Sequence, residues 1–363
     1  MGRRRGDFCE FSASCFVDKR DAEDSVPYNS LLPVFNYPLT NRLILGKINR
    51  FLFLRLRRIL LINKQKNSSA VSTLLLLTTS IIWGFAFVAQ LQGMDYMGSF
   101  TFGGVRFAMG ACSMIPLILL FERKRATPEE RRLTWRYGAL AGVVLFLASN
   151  LQQFGLALTG SAGKAGFITG LYTVLTPLFS IVLGKKPSKL TGIGAAAAFV
   201  GLYFLSAPEG FGKITLGDGL LVICAVFWTL HIMVVDAYAS RVRPIRFSAV
   251  QFAVCAVLTL ICMAFFEEPT IASLRAGAMP LLYGGFLSVG VAYTLQIIGQ
   301  RRVEPSKAAI IFSLESLFAA VGGFLLLQEK LGWKGYLGGG LMMLGIMLSQ
   351  ADGMKLKRKK ASK

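Results

Sequence analysis

The sequence predicts an all-α integral membrane protein with ten transmembrane helices, arranged as two inverted five-helix repeats with both termini in the cytoplasm. Three observations predict it: long apolar runs, a second half that repeats the first, and basic residues gathered on one side. The runs are about 20 residues long, which a helix needs to cross about 30 Å of hydrocarbon. Because lipid offers the backbone no hydrogen-bond partners, such runs must be helical.

Composition excludes a soluble chain of this length. Hydrophobic residues make up 54% of the 363 residues and charged residues 16%. A net charge of +21 would suit a nucleic-acid partner, but the basic residues lie in the N-terminal extension, alternate loops and the tail, so none is predicted. The six cysteines form no CxxC pair and there is one histidine, so neither a metal nor any other cofactor is expected.

The ten predicted spans follow one another with short polar connections. In order, they cover residues 71–90, 102–121, 137–158, 162–184, 190–207, 216–239, 248–266, 279–300, 307–327 and 332–350. If the N-terminus is cytoplasmic, the inward loops and the tail hold 21 Lys and Arg, against five in the outward loops. Missing one central span would abolish this bias, so it supports both the count and the orientation.

The two halves match at a shift of 144–145 residues. Five spans in each half is an odd number, so the second half enters the membrane from the opposite side. Such inverted repeats give a direct route to alternating access. Matching positions pair Trp83 with Trp228, Arg106 with Gln251, Gly155 with Gly299, Gly194 with Gly338, and Gly201 with Gly345.

Both ends of the chain lie outside the repeat. Met1–Thr40 is polar and mixed in charge, and disorder is expected there. Leu43–Ile62 is apolar but strongly basic, and two interpretations stay open: a helix on the anionic inner leaflet, or an upstream extension before a true start near residues 66–71. The predicted domains are a basic N-terminal extension (1–70), repeat 1 (71–207), repeat 2 (216–350) and a basic cytoplasmic tail (351–363).

Several short motifs recur at matching intervals in both halves. Together they resemble the tandem domains of the drug/metabolite transporter superfamily, of the ten-helix EamA type. Ser316 departs from this pattern, because proline is usual there, and Gln328 replaces a glycine. The motifs are Trp83-Gly84-Phe85-Ala86-Phe87, Arg106-Phe107, Lys164-Ala165-Gly166-Phe167, Thr176-Pro177-Leu178-Phe179, Leu314-Glu315-Ser316-Leu317-Phe318 and Leu327-Gln328-Glu329-Lys330-Leu331.

This resemblance implies a secondary carrier of small metabolites, often an exporter of amino acids or similar compounds. It also implies a central cavity lined mainly by the first, third, fourth, sixth, eighth and ninth helices. The sequence holds no GxxxxGK[ST] loop, so ATP is not expected to drive transport. Neither an HExxH nor a G-x-S-x-G motif occurs, and no catalytic set is predicted.

Three ionisable residues lie well inside predicted spans, where insertion of a charge costs about 2.5–3.5 kcal/mol. Glu315 suits a proton-coupling site, or a carboxylate that packs helices together. His231 suits a proton relay or substrate contact, or a satisfied packing histidine. Arg106 is interpreted as a structural anchor that snorkels outward or pairs with a carboxylate.

Uncharged polar and aromatic residues complete the candidate site. Asn150, Gln152 and Gln153 in the third span match Tyr293 and Gln296 in the eighth, which suggests that both halves supply polar groups to one cavity. Alternatively, these side chains form hydrogen bonds that hold neighbouring helices together. The remaining candidates are Trp83 and Trp228, as cavity walls or core, and Tyr172 and Pro177, which break the fourth span and are candidates for a gate.

The predicted function is therefore secondary transport of small metabolites or drugs, amino-acid-like compounds above all, across the cell (inner) membrane. The predicted carrier is an exporter that works by alternating access, with protons as the candidate coupling ion, and is a monomer or a homodimer. The rival interpretation is an integral-membrane enzyme acting on lipid-linked substrates. Its only acid–base candidates would be Glu315, His231 and Asp236.

Overall fold

The structure, a computed structural model, describes residues 69–123, 126–159, 162–206, 215–327 and 332–361. The features predicted for residues 1–68 lie outside these ranges. Within them all regular secondary structure is helical, as the sequence predicts, and comprises fourteen α-helices and one π-helical segment.

The helices follow the predicted spans in chain order. In the first half they are α1 (Ser69–Met94), α2 (Ser99–Phe121), α3 (Pro128–Thr159), α4 (Ala162–Thr169), α5 (Tyr172–Val182) and α6 (Lys189–Ser206). In the second half they are α7 (Leu216–Tyr238), α8 (Pro244–Phe266), α9 (Ile271–Ala276), α10 (Ala278–Leu282), the π-helical segment Tyr283–Ala292, α11 (Tyr293–Gln300), α12 (Pro305–Phe312), α13 (Leu314–Leu327) and α14 (Trp333–Ala361).

Seven helical stretches among the described residues are long and apolar enough to cross a membrane. They coincide with the first, second, third, sixth, seventh, eighth and ninth predicted spans. The fourth predicted span is divided between α4 and α5, the fifth is the short helix α6, and the tenth lies in α14. That these last three also cross the membrane stays a prediction.

Helix α3 begins at Pro128, well before the predicted start of the third span at residue 137. A capping box explains the difference. The Thr127 backbone N–H donates to Glu130 Oε2 at 3.0 Å, and the Glu130 backbone N–H donates to Thr127 Oγ1 at 3.1 Å. This exchange satisfies two donors that a helix start leaves unpaired, so α3 starts in its polar, basic part.

Helices α2 and α8 cap each other. Glu122, just after α2, accepts hydrogen bonds from the backbone N–H groups of Ile245 (3.0 Å) and Arg246 (3.2 Å) at the start of α8. Glu267, just after α8, accepts from the N–H groups of Phe100 (2.9 Å) and Thr101 (2.7 Å) at the start of α2. The two helices are therefore antiparallel, with a carboxylate at each helix N-terminus, where the helix dipole favours negative charge.

Burial raises the pKa of the Glu122 carboxyl above its usual value, and the two backbone donors and the charges of Arg246 and Arg243 oppose that shift. Its Oε2 also lies 3.6 Å from Arg246 Nε. The raised pKa shows that removal from water outweighs these favourable contacts.

We expect Glu267→Ala to lower the free energy of unfolding by about 2 kcal/mol, since it removes the acceptor of two backbone donors and of the Thr101 hydroxyl, which is 2.7 Å away. Thermal unfolding of the purified protein in detergent measures this loss. Glu268→Ala is the matched control, because Glu268 is the exposed neighbour, and a change within about 0.5 kcal/mol is expected there. Equal losses in the two variants would contradict the capping role.

Close glycine contacts hold other helix pairs together. A Cβ built on Gly194 in α6 would lie 2.5 Å from the Gly345 carbonyl oxygen in α14, and one built on Gly345 would lie 2.5 Å from the Gly194 oxygen. Gly201 approaches the Gly338 oxygen equally closely. The early part of α6 thus meets the late part of α14, so these helices are also antiparallel.

A further pair of contacts joins the halves in the same way. A Cβ on Gly155 in α3 would lie 2.5 Å from Leu221 Cγ in α7, and one on Gly299 in α11 would lie 2.5 Å from Leu76 Cδ2 in α1. Gly155 matches Gly299 and Leu221 matches Leu76 at the repeat shift. The same packing solution therefore occurs twice.

Candidate functional site

A small cavity lies at the centre of the helices, with a volume of about 40 Å³. This is room for about three or four water molecules. Most of the long helices contribute to its wall. The lining residues are Trp83, Ala86, Phe87, Gln90, Arg106, Gln152, Tyr172, Trp228, Ile232, Ser288, Tyr293, Gln296, Phe312 and Glu315.

Two interrupted helices meet at this cavity. The fourth predicted span is interrupted after Thr169 and resumes with Tyr172 at the start of α5, and the ninth is interrupted at Ser313, which places Glu315 in the first turn of α13. The Tyr172 hydroxyl donates to Glu315 Oε1 at 3.0 Å. Leu171 and Ser313 at the two interruptions keep right-handed helical dihedral angles, so the helices are locally irregular there without changing direction sharply. The dipole of α13 favours a carboxylate in its first turn.

Helix α1 packs directly on the first turn of α13. A Cβ on Gly84 would lie 2.8 Å from the Glu315 carbonyl oxygen and 2.4 Å from Phe318 Cβ. Only glycine permits this approach without displacement. The Trp83-Gly84 motif therefore supplies a cavity wall from Trp83 and a close contact that positions Glu315 from Gly84.

Aromatic side chains from both halves form one wall. The Trp83 ring centroid lies 6.4 Å from that of Trp228 and 4.7 Å from that of Tyr293, and Trp228 and Tyr293 stack at 6.3 Å. Trp83 Nε1 donates to the Ser288 carbonyl oxygen at 3.2 Å, which is in the π-helical segment. Long π-helices are rare and often mark functional sites. The matched tryptophans of the two halves thus contact the same tyrosine.

Arg106 also lines the cavity and is only 5% exposed. Its guanidinium carbon lies 5.3 Å from the centre of the Phe102 ring and 5.2 Å from that of Phe107. Its Nε has no hydrogen-bond partner among the described residues. This placement does not match an outward-snorkelling anchor, and it puts a guanidinium and the Glu315 carboxyl in the wall of one small cavity.

Three amides add polarity to the cavity: Gln90, Gln152 and Gln296. Gln296 Nε2 donates to Gln300 Oε1 at 2.9 Å, but Gln296 Oε1 is buried without a partner among the described residues. An unpaired buried acceptor costs about 1–3 kcal/mol. It therefore offers a place for a water molecule or for a donor on a ligand.

Four predicted residues lie outside the cavity lining. Asn150 Nδ2 donates instead to Thr259 Oγ1 at 3.1 Å. Gln153 is 1% exposed, with both side-chain polar atoms unpaired among the described residues. His231 Nε2 lies 3.1 Å from Gln251 Oε1, and its ring packs edge-on against Trp228 and Tyr293 at 5.9 Å and 6.0 Å. Pro177 is buried within α5.

The predicted residues that the structure brings together around the cavity are Trp83, Arg106, Gln152, Tyr172, Trp228, Tyr293, Gln296 and Glu315. Gln90 and Ser288 also line the cavity but were not among the predicted residues. Gln90 carried a usable signal, because an amide inside an apolar run is costly unless it is satisfied. Among the described residues, no group of three or more His, Cys, Asp or Glu side chains is placed to hold a metal ion.

A cavity lined by buried charged and amide side chains, inside a bundle of apolar helices whose two halves repeat, is the arrangement of a membrane transport protein. Residues 71–207 and 215–350 match the EamA-like transporter family. The chain therefore belongs to that family and is a multi-pass membrane transporter, as the sequence motifs indicated. Family membership also confirms that it is not an enzyme, which removes the lipid-linked rival.

Curated relatives agree with this assignment. An uncharacterized transporter of Archaeoglobus fulgidus is 31% identical over 274 residues, covering 74% of this chain and 82% of the relative. The uncharacterized transporter YoaV of Bacillus subtilis is 22% identical, with 76% and 94% covered. The uncharacterized inner membrane transporter YedA of Escherichia coli is 24% identical, with 74% and 87% covered. A solved crystal structure, 20% identical, shares the fold with a TM-score of 0.65, covering 80% of this chain and 99% of that one.

Proposed function

We propose that the protein is a ten-helix secondary transporter that exports zwitterionic, amino-acid-like metabolites across the cell inner membrane, with protons as the coupling ion. The observation that carries the proposal is the presence of Arg106 and Glu315 in the wall of one buried cavity. The inner-membrane location is supported by the name of the Escherichia coli relative.

The two charged groups complement the two ends of an amino acid. A guanidinium presents paired donors that match a carboxylate. A carboxylate accepts hydrogen bonds from an ammonium group, and the nearby faces of Trp83 and Tyr293 attract a cation. Gln296 Oε1, which lacks a partner among the described residues, adds an acceptor for a donor on the ligand.

The reciprocal contacts support the inverted repeat. Glu122 and Glu267 are matching residues at the repeat shift, and each caps the helix that the other follows. Since α2 and α8 occupy matching positions in the two halves and run antiparallel, a two-fold axis in the membrane plane relates them. The α6–α14 contacts obey the same relation. An inverted repeat of five spans agrees with ten crossings and with both termini in the cytoplasm.

Alternating access explains the small size of the cavity. A volume of about 40 Å³ is smaller than an amino acid, so substrate entry requires the halves to separate. At the end that carries the basic loops, Lys185 pairs with Asp236, and Ser306 Oγ donates to Ser180 Oγ at 3.3 Å. These contacts join the two halves and would have to break for opening on that side.

Uptake into everted membrane vesicles tests this function. A panel of radiolabelled amino acids and matching decarboxylated amines is offered with and without an inward-acid pH gradient. We expect gradient-dependent accumulation of amino acids and saturable counterflow. A flux that is neither saturable nor able to support counterflow would contradict a carrier, and transport of the amines alone would contradict recognition of a zwitterion.

We expect Arg106→Gln to reduce amino-acid counterflow at least tenfold while affecting the matching decarboxylated amines much less, because only the amino acid offers a carboxylate to the guanidinium. Counterflow in reconstituted liposomes measures both substrates with the same preparation. Arg136→Gln, on exposed Arg136 of α3, is the control for loss of a positive charge. Equal losses for amino acid and amine would contradict a carboxylate contact.

A further inference from the structure

A second, larger concavity lies away from the transport cavity, between α2, α3 and α8. Its volume is about 680 Å³. It has an apolar body and a basic end, and is termed the interfacial groove below. Its defining residues are Ile115 and Val254 in the body, and Arg123, Arg131, Trp135 and Arg246 at the basic end.

The basic end has an excess of positive charge. None of the described residues that line the groove is acidic. Glu122 neutralises part of the charge of Arg246, since the Arg246 Nη2 donates to its carbonyl oxygen at 3.0 Å and Nε lies 3.6 Å from its carboxylate. Nearby Glu130 lies 3.5 Å from Arg243 instead. Arg123 and Arg131, which are both exposed, supply the excess.

The apolar body is short enough to lie within one lipid leaflet. Along α2 the groove runs from Ala111 to Ile118, a rise of about 10 Å at 1.5 Å per residue. The hydrocarbon core is about 30 Å thick, so one leaflet measures about 15 Å. Trp135 is 63% exposed at the basic end, and tryptophan favours the headgroup level.

From these features we propose that the interfacial groove binds an anionic phospholipid, with its phosphate at Arg123 and Arg131 and an acyl chain along α2 and α8. A soluble anion would use the arginines but leave the apolar body unexplained. A zwitterionic lipid would bring its own cation to a cluster of three arginines. The arginines lie at the ends of α2, α3 and α8 that the basic loops place in the cytoplasm, where anionic lipids attract basic segments.

Binding of short-chain lipids to the full-length, delipidated protein in neutral detergent tests this inference. Native mass spectrometry counts bound dioctanoyl phosphatidylglycerol and dioctanoyl phosphatidylcholine. We expect phosphatidylglycerol to bind at least tenfold more tightly, and Arg131→Gln to weaken it about tenfold, as loss of a charge-assisted hydrogen bond does. Arg132→Gln is the matched control, because exposed Arg132 is the next residue on the same helix and does not line the groove.

Ala253→Trp tests the apolar body without changing charge. Ala253 lines the groove and is exposed, so the new ring fills the groove instead of disturbing the interior, and lipid binding is expected to fall at least fivefold. Equal affinity for the two lipids, equal weakening by Arg131→Gln and Arg132→Gln, or unchanged binding in Ala253→Trp would each overturn the proposal. Displacement of the lipid by 10-fold excess inorganic phosphate would show a soluble-anion site instead and would overturn it too.

Discussion

The variant Glu315→Gln is expected to lose gradient-driven accumulation of substrate at least tenfold while keeping the maximal rate of counterflow within a few-fold of wild type. Because the carboxylate also accepts from the ammonium group of the substrate, a higher concentration of amino acid is needed to reach that maximal rate. Glutamine preserves the size of the side chain and one acceptor, but it cannot take up or release a proton. The Tyr172 hydroxyl, 3.0 Å from Glu315 Oε1, can still donate to the amide oxygen. The transport route would therefore remain intact while its link to the proton gradient is cut.

Counterflow makes this prediction independent of folding. Exchange of labelled for unlabelled substrate needs the cavity and the opening movements but no net proton movement. A variant that loses both activities has lost the carrier cycle, and a variant that keeps both shows that Glu315 packs helices without coupling. Glu304→Gln is the control carboxylate, since Glu304 is exposed and pairs with Lys307 in the first turn of α12; we expect it to keep accumulation.

At the fourth and ninth predicted spans, the sequence predicted individual site residues but not the contact between them. Glu315 was selected because an ionisable residue in an apolar run is costly, and Tyr172 because it and Pro177 interrupt an otherwise uniform apolar span. Their contact was not predicted. It depends on two interruptions that bring matching parts of the halves together. Gly170, directly after Thr169, is a usual helix-ending residue, but no residue pattern at Ser313 marks the second interruption.

The third span shows that neighbouring residues of a helix face different surroundings, which the sequence alone did not resolve. Asn150, Gln152 and Gln153 are close in sequence, but successive residues on a helix point about 100° apart, so only some of them can face the cavity. Gln152 does, whereas Asn150 turns to Thr259. Hydrophobic periodicity could not choose between them, because α3 contacts other helices on several sides and its buried residues do not define one stripe.

The sequence predicted the environment of Arg106 less accurately, and the reason is physical. A single arginine near the end of a span fits outward snorkelling, and nothing local distinguishes that from burial. Its burial follows from the packing of α2 against the π-helical segment, where Gly110 lies so close to Val289 that a Cβ would be 2.3 Å from Cγ1. By contrast, the early start of α3 could have been predicted, because Thr127 and Glu130 form the S/T-x-x-E capping pattern.

The contact between α6 and α14 gives the second large expected effect. Gly194→Ala and Gly345→Ala should each lower the free energy of unfolding by about 1–3 kcal/mol, the usual range for overpacking, because each new methyl group would lie 2.5 Å from the opposite carbonyl oxygen. Gly192→Ala, two residues earlier in α6, is the matched control, since nothing lies within 4 Å of a Cβ built on Gly192. That variant should be neutral or slightly stabilised, as alanine restricts the unfolded chain.

The double variant Gly194→Ala/Gly345→Ala tests whether the two glycines form one contact. Because both methyl groups press on the same pair of backbones, the first substitution should already separate the helices, and the second should cost less than it does alone. The free energy of unfolding is measured by thermal unfolding in detergent for the wild type, the two single variants and the double variant. The yield of membrane-inserted protein is a second readout. Strict additivity would mean that the two sites relax independently, and a neutral Gly194→Ala would mean that α6 and α14 are not in close contact, which would remove one of the reciprocal pairs on which the inverted repeat rests.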